Sequence, residues 1–390
     1  MKRRYDLPLF FLTLTLVAFG LAMVYSASAF IAAEMYKNHL HHVTRQGLAA
    51  GLGFVAMIAL ARLPYKRLRA WAPTLYVATT LSLVLVWVPG VGHAANGSAR
   101  WFGLGGIHFQ PAEVLKVVLL ICLATLLHRK RADIHDPQVF VNVAVMFGVP
   151  LTLVALQPDF GSTAIIALLA GLMFFFAGLR WMWVAAGGSA LALGLGVLMV
   201  AESYRMKRLM SFLDPFEDCS GDGYQVCQSL LALHHGGLLG QGPGESAAKL
   251  LYLPEPYNDF IAAVLGEELG LWGIVVLLAL YAWFAWRGFS IARRAADPFG
   301  ALLASTFTVM IVGQACLNLG VVTSMVPPKG LVLPFISYGA SAMMVNLAAV
   351  GILLSISAEA RQTEPVADRA PSPAPAALPA RPGASARVEA

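Results

Sequence analysis

The sequence predicts an all-α polytopic membrane protein with about ten transmembrane helices and a large extracytoplasmic loop between the seventh and eighth. Three observations carry that prediction. Only 12% of the 390 residues are Asp, Glu, Lys or Arg, against about 25% in an ordinary soluble domain. Hydrophobic residues make up 58% and the mean hydropathy is +0.70. Ten apolar stretches are long enough to cross a hydrocarbon core about 30 Å thick, which takes roughly 20 residues of helix. This composition excludes a soluble enzyme and a disordered chain, and four cysteines are too few for a disulfide scaffold.

The ten segments are 8–30, 45–63, 71–89, 110–128, 139–157, 161–178, 182–201, 265–287, 299–323 and 338–357. The fifth and sixth are joined by the tight Gln157-Pro158-Asp159-Phe160-Gly161 turn. The eighth is the weakest, because Glu267 and Glu268 lie near its start. Met1-Lys2-Arg3-Arg4 leads into a full-length span with no small-residue cleavage site, so no cleavable signal peptide is expected. With the N-terminus cytoplasmic, 18 of the 27 Lys and Arg residues fall on the cytoplasmic side. Both termini are therefore expected inside. The same bias accounts for most of the isoelectric point of 9.2, leaving no reason to invoke nucleic acid. The tail 362–390 holds six of the 22 prolines among Ala, Ser and Arg, and reads as a disordered cytoplasmic extension. There is no internal repeat of 20–50 residues and no Walker, GxGxxG or HExxH motif.

The remaining basic residues are Lys37, Arg45, Arg100, Lys116, Arg205, Lys207, Arg208, Lys249 and Lys329. They sit near membrane level, where charge is costly and usually functional. Arg100-Trp101 precedes Gln110-Pro111-Ala112-Glu113, and Glu113 and Lys116 share one helical face at i, i+3. The structural alternative is an ion pair closing a helix end, with Trp101 as an interfacial anchor. The functional one makes Arg100 and Lys116 ligands of a phosphate-bearing lipid. The segment 202–264 interleaves aromatic and charged residues with Gly and Pro, as a shaped re-entrant loop would and a floppy linker would not. Asp259 precedes an apolar run, where it is either a helix N-cap or a general base beside a cavity. Asp159 faces the same choice, with the cap preferred. Lys329 lies between prolines ahead of Ser337-Tyr338-Gly339, well placed to hold an anion. His39, His41, His42, His234 and His235 are expected to be ordinary loop residues. Cys219 and Cys227 lie in the external loop, where a spacing of eight permits a disulfide without requiring one, while Cys122 and Cys316 are expected to pack inertly inside spans.

Taken together, these motifs resemble the SEDS family (shape, elongation, division and sporulation), membrane glycosyltransferases that polymerise peptidoglycan. The resemblance rests on Asn96-Gly97 with Arg100-Trp101, Gln110-Pro111-Ala-Glu113 with Lys116, and Gln157-Pro158-Asp159-Phe-Gly161. It continues through Tyr224-Gln225 with Ser229, the Gly236 to Gly244 run, Leu253-Pro254-Glu255 with Asp259-Phe260, and Gly266-Glu267-Glu268-Leu269-Gly270. Pro328-Lys329-Gly330-Leu331 through Ser337-Tyr338-Gly339 completes it. It covers residues 8–357, so the chain divides into a membrane domain, 1–361, with its catalytic loop at about 202–264, and the tail 362–390. Lys-Gly-Leu before the last helix and Met23-Val24-Tyr25-Ser26-Ala27-Ser28 look like the division branch; an elongation or sporulation paralogue is the alternative. Two places depart from the family pattern: Tyr257-Asn258 where His-Thr is usual, and Ala340-Ser341-Ala342 where Gly-Ser-Ser is usual.

The resemblance implies that Asp259 is the general base, deprotonating the GlcNAc 4-hydroxyl of lipid II. That oxygen would attack the anomeric carbon of a glycan held on undecaprenyl pyrophosphate, giving a β-1,4 link in septal wall synthesis. The implied substrate-binding set is Arg100, Trp101, Glu113, Lys116, Arg205, Arg208, Tyr224, Gln225, Ser229, Lys249, Glu255, Lys329 and Ser337. A divalent cation, Mg or Mn, can assist the departing pyrophosphate, although no dedicated metal site is identifiable. The implied partners are lipid II, a class B penicillin-binding protein acting as transpeptidase, and other divisome membrane proteins, at the septum of the bacterial plasma membrane. A lipid II flippase and a non-catalytic divisome scaffold are the rival readings from other classes.

Overall fold

The computed structural model describes residues 4–88, 92–95, 98–104, 107–130, 136–157, 160–178, 223–327 and 330–363, together with scattered positions between 182 and 221. The helices are α1 (Leu7–Tyr36), α2 (His41–Arg62), α3 (Leu68–Leu85), α4 (Pro111–Arg129) and α5 (Pro137–Leu156). They continue as α6 (Phe160–Phe176), α7 (Tyr224–Gly236), α8 (Ile261–Arg294), α9 (Pro298–Val322) and α10 (Ala340–Thr363). Eight helices among the described residues are long and apolar enough to span a membrane, and the sixth predicted segment is the shorter apolar helix α6. The chain is therefore a multi-pass membrane protein. Most of the seventh predicted segment, 182–201, and the tail beyond 363 lie outside the described residues.

Helix ends follow local chemistry. Asp6, Asp136 and Asp297 cap α1, α5 and α9 by accepting from the amides of Leu9 (3.0 Å), Gln138 (2.9 Å) and Gly300 (2.7 Å). Pro111 sits in the first turn of α4, where its missing N–H costs nothing. The sequence gives no hint of one β element. Within the fold expected to be all-α, residues 90–109 contain a three-stranded antiparallel meander of β1 (Gly92–Ala95), β2 (Ser98–Leu104) and β3 (Ile107–Phe109).

Helices α4 and α10 are buried over most of their length and form the centre, while α2, α3, α5 and α8 turn apolar side chains outward, including Leu48, Val55, Val77, Val145, Trp272 and Trp286. Lipid tails give helices no hydrophobic reason to associate, so close packing must do that work. Between α2 and α10, Gly351 lies against the backbone of Met57, where an added Cβ would come within 2.5 Å of the Met57 carbonyl oxygen. On the face nearest the N-terminus, the ion pairs Asp6–Arg287, Arg69–Asp297 (2.5 Å) and Lys66–Glu359 tie helix ends together. Inside that half of the bundle, the hydroxyls of Thr125, Thr306 and Thr308 bond to carbonyls of their own helix at 2.8, 2.7 and 2.6 Å.

The weak eighth segment has a physical explanation. At Gly270 (φ 67°) α8 is broken, so Glu267 and Glu268 belong to a short helical lead and the membrane run starts after the break.

Candidate active site

The lead into α8 is shaped before it becomes helical. Glu255 adopts a left-handed φ of 50°, and its carbonyl accepts from the Asn258 amide at 3.1 Å while its carboxylate accepts from the Asn258 side chain. This closed turn presents Tyr257 on one side and Asp259 on the other. The N-cap of α8 is Phe260, with no side-chain capping bond, so Asp259 lies one residue before the cap position. The Asp259 side chain is half-buried and packs on Gly330: a Cβ built there would lie 3.3 Å from Oδ2.

Two polar side chains one turn apart on α9 hold the walls around Asp259. Asn318 donates through Nδ2 to the Asp259 carbonyl at 2.8 Å and also to the Leu331 carbonyl. Gln314 donates to the Val332 carbonyl at 2.9 Å and accepts from Lys116 at 3.3 Å. Lys116 is in turn ion-paired with Glu113 at 2.8 Å, with both groups almost wholly enclosed. The predicted Glu113/Lys116 pair is thus formed on α4, and it reaches the 330–333 segment through Gln314.

The loop after α7 rests on the short lead of α8. The Gln241 and Gly242 amides donate to the Glu267 and Glu268 carbonyls at 2.9 and 3.0 Å. Gly240 makes this approach possible: at φ +82°, an added Cβ would fall 2.2 Å from the Glu268 carbonyl oxygen. The Glu267 carboxylate accepts from the Ser246 hydroxyl and from the Ala248 amide at 3.1 Å. Lys249 pairs with Glu268 at 2.8 Å, and Ser26 of α1 donates to the same carboxylate oxygen at 2.6 Å. The Gly-rich run and the Gly-Glu-Glu-Leu-Gly motif are therefore two sides of one latch.

Arg100 and Trp101 lie on β2. Trp101 pairs with His93 and Ala99 with Ala94, which makes Arg100 the extra residue of a bulge. A bulge bends the strand and re-aims the side chain it carries. Here Arg100 Nε donates to the Gln157 carbonyl at 2.8 Å, and Gln157 is itself fixed to the Leu83 carbonyl at 2.9 Å. On α7, Tyr224 and Gln225 are partly exposed, whereas Ser229 is fully buried and its hydroxyl donates to the Val322 carbonyl at 2.9 Å. Cys219 and Cys227 are joined by a disulfide. Ser337 is also buried, and its hydroxyl accepts from the Leu333 amide at 2.7 Å. Asn96, Gly97, Pro158, Asp159, Arg205, Arg208 and Lys329 lie outside the described residues.

Several contributors carried no motif. Gln46 of α2 donates to the Ser337 carbonyl at 3.0 Å and accepts from the Gly339 amide at 3.1 Å. Gln46, Gln314 and Asn318 are uncharged polar residues inside predicted spans, and that alone marks such positions. His42 was expected to be an ordinary loop residue. It is buried instead, stacked on Tyr257 at 4.5 Å and edge-on to Tyr338 at 5.0 Å. The Tyr338 amide donates to the Tyr257 carbonyl at 2.9 Å. Burial, reinforced by Glu255, pushes the Tyr257 hydroxyl up to about 12, so it remains a neutral donor. Burial also raises the Tyr338 hydroxyl, partly opposed by Arg45.

The bundle and site define a polytopic membrane protein with one carboxylate set at the end of the bundle remote from the N-terminus, ringed by buried ion pairs and aromatic groups. A family model described as "Cell cycle protein", spanning FtsW, RodA and SpoVE, matches residues 7–362. The chain belongs to this family, the SEDS proteins. It is 40% identical over 355 residues to a probable peptidoglycan glycosyltransferase FtsW of Geobacter sulfurreducens, covering 91% of this chain and 95% of the relative. It is also 40% identical to the stage V sporulation protein E of Bacillus subtilis, covering 92% and 99%. Among solved structures it is similar to a chain from a study of polymerization and crosslinking by a peptidoglycan synthase complex, with a TM-score of 0.75, 32% identity and coverage of 92% and 99%. The rod shape determining protein RodA of Thermus thermophilus aligns with a TM-score of 0.66, 29% identity and coverage of 90% and 96%.

Proposed function

We propose that this SEDS protein is a peptidoglycan glycosyltransferase that polymerises lipid II during septal wall synthesis, with Asp259 as its general base. The observation that carries the proposal is the setting of Asp259: a half-buried carboxylate just before α8, with its backbone carbonyl held by Asn318 and its side chain on Gly330. A base must lie within hydrogen-bond reach of the proton it takes. Asp259 would accept the proton of the GlcNAc 4-hydroxyl as that oxygen bonds to the anomeric carbon of the growing glycan. The bond to undecaprenyl pyrophosphate breaks with inversion, and the proton passes from Asp259 to solvent.

The departing pyrophosphate needs positive charge, since electrostatic stabilisation of developing charge is often the largest catalytic contribution. Lys116 and Lys249 are already matched by Glu113 and Glu268, which suits them to hold the site's shape. Arg100 and Lys329 are the first choices for the phosphates, with Arg205 and Arg208 behind them. Trp101, Tyr224, Gln225 and Glu255 supply further substrate contacts, while Ser229 and Ser337 act through the backbone they bond. Among the described residues no three His, Cys, Asp or Glu side chains converge, so they build no cage for Mg or Mn, and no step here passes through a metal.

The same reading puts both termini in the cytoplasm, supported by the Lys and Arg bias, the site on the outer face and the protein at the division septum. A class B penicillin-binding protein, which would crosslink the new strands, is the proposed partner, along with other divisome membrane proteins. The test is glycan-chain formation from purified lipid II, with and without a coexpressed class B transpeptidase. Glycan chains are expected with the partner present; lipid II translocation with no polymer in either condition would favour the flippase instead. Gly330→Ala offers a finer check. Its methyl group would press on Asp259 Oδ2, and displacing a catalytic group by a few tenths of an ångström is expected to slow polymerisation by about tenfold, measured as initial rate.

A further inference from the structure

We propose that Tyr36, His41, His42, Tyr257 and Tyr338, with Arg45 beside them, form a subsite for the sugar rings of the glycan. The proposal rests on the polymerase function above and names the part of the site that reads carbohydrate rather than diphosphate. The rings come from four places in the chain: the end of α1, the start of α2, the lead into α8 and the lead into α10. Tyr36 stacks flat on His41 at 3.8 Å with 3° between the planes. His41 meets His42 edge-on at 5.2 Å, and His42 stacks on Tyr257 at 4.5 Å. Tyr338 closes the group edge-on to both His42 and Tyr257, at 5.0 and 5.8 Å. Arg45 donates to the Tyr338 hydroxyl. Tyr257 is two residues from Asp259.

Packing alone does not account for the polar atoms in this cluster. His42 is only 6% exposed, yet both its ring nitrogens have no hydrogen-bond partner among the described residues, and the same is true of Asn258 Oδ1. Leaving such a group buried and unpaired is costly, and buried polar side chains are otherwise almost always bonded. The His42 nitrogens are enclosed under the Tyr257 and Tyr338 rings, so a ligand rich in hydroxyl and amide groups would pair them as those rings part around it. An interfacial aromatic belt is the ordinary explanation for Tyr near a membrane boundary. A belt does not require a buried histidine between two tyrosines.

The chemistry favours a sugar over a phosphate. Aromatic faces carry negative quadrupole potential, which repels an anion. A β-linked hexosamine presents flat C–H faces, and its rim of hydroxyl and acetamide groups can pair with imidazole, phenol and amide. Arg45 is the one cation named in the group, and it is already bonded to Tyr338.

The test compares two lipids that share the diphosphate and the polyprenyl chain but differ in sugar. Binding of lipid II and of undecaprenyl pyrophosphate is measured on full-length protein in detergent, carrying Asp259→Asn to prevent turnover. Tyr257→Leu or His42→Ala is expected to weaken lipid II about tenfold and leave undecaprenyl pyrophosphate unchanged, while Tyr257→Phe keeps most of the affinity. Tyr36→Leu, on a residue 49% exposed, is expected to weaken lipid II about threefold and keeps the test decisive if the buried variants do not fold. Equal weakening of both lipids, or unchanged lipid II binding in Tyr36→Leu and the folded variants, would overturn the subsite. Wild-type polymerisation by Asp259→Asn would remove the base assignment, yet the ratio of the two affinities would still decide the subsite.

Discussion

Replacing Asp259 by Asn is expected to lower lipid II polymerisation by about two to four orders of magnitude, the usual contribution of a positioned general base. The amide has nearly the shape of the carboxylate but cannot take the proton of a sugar hydroxyl. Its effect should be confined to chemistry. The capping position of α8 belongs to Phe260, and the bond from Asn318 reaches the backbone carbonyl of Asp259, which the substitution leaves in place. The variant should therefore still bind lipid II while polymerisation is lost, which a binding assay beside the rate measurement checks. Asn318→Leu makes a useful contrast: it removes the donor to both Asp259 and Leu331, and a loss of rate there would come from positioning.

Lys249→Met is expected to cost about 3–5 kcal/mol of stability, the range for breaking a buried ion pair by removing one partner. The cost comes from Glu268, which is 2% exposed and would be left, among the described residues, with the Ser26 hydroxyl as its side-chain partner. Because Lys249 ties the loop after α7 to Glu268 of α8 and to Ser26 of α1, the variant should also expose the 240–253 loop to protease. The double variant Lys249→Met with Glu268→Gln should recover most of the loss, because it removes the stranded charge while the Gln oxygen still accepts from Ser26. Thermal unfolding of the single and double variants in detergent checks both statements.

The spans were legible because the hydrocarbon core imposes one rule, and α2, α3, α4, α5 and α9 follow it within a few residues, while α1 and α10 run past their predicted ends. The break at Gly270 was signalled only indirectly, as two glutamates at the start of an apolar run. The β meander was not legible, since Gly and small polar residues between 90 and 109 describe a loop as well as short strands. At the site, motifs marked the charged partners Glu113, Lys116 and Lys249, but not what those partners do for one another. Pairing of Lys249 with Glu268 depends on how the loop folds back over α8, which no local pattern encodes. The partners of Gln46, Gln314 and Asn318, marked only as polar residues inside spans, and the burial of His42 were hidden for a related reason. Each acts on the backbone or ring of a residue far away in sequence: Gln46 on Ser337 and Gly339, Asn318 on Asp259, and His42 on Tyr257.

Chemical rescue tests the role of Asp259 most directly. Asp259→Ala leaves room where the carboxylate stood, and formate is small enough to serve there as an external base. Initial rates of glycan formation from purified lipid II should be near background in this variant, rise with formate concentration, and not respond to chloride at equal ionic strength. A wild-type rate for Asp259→Ala without formate would contradict the assignment of Asp259 as the base.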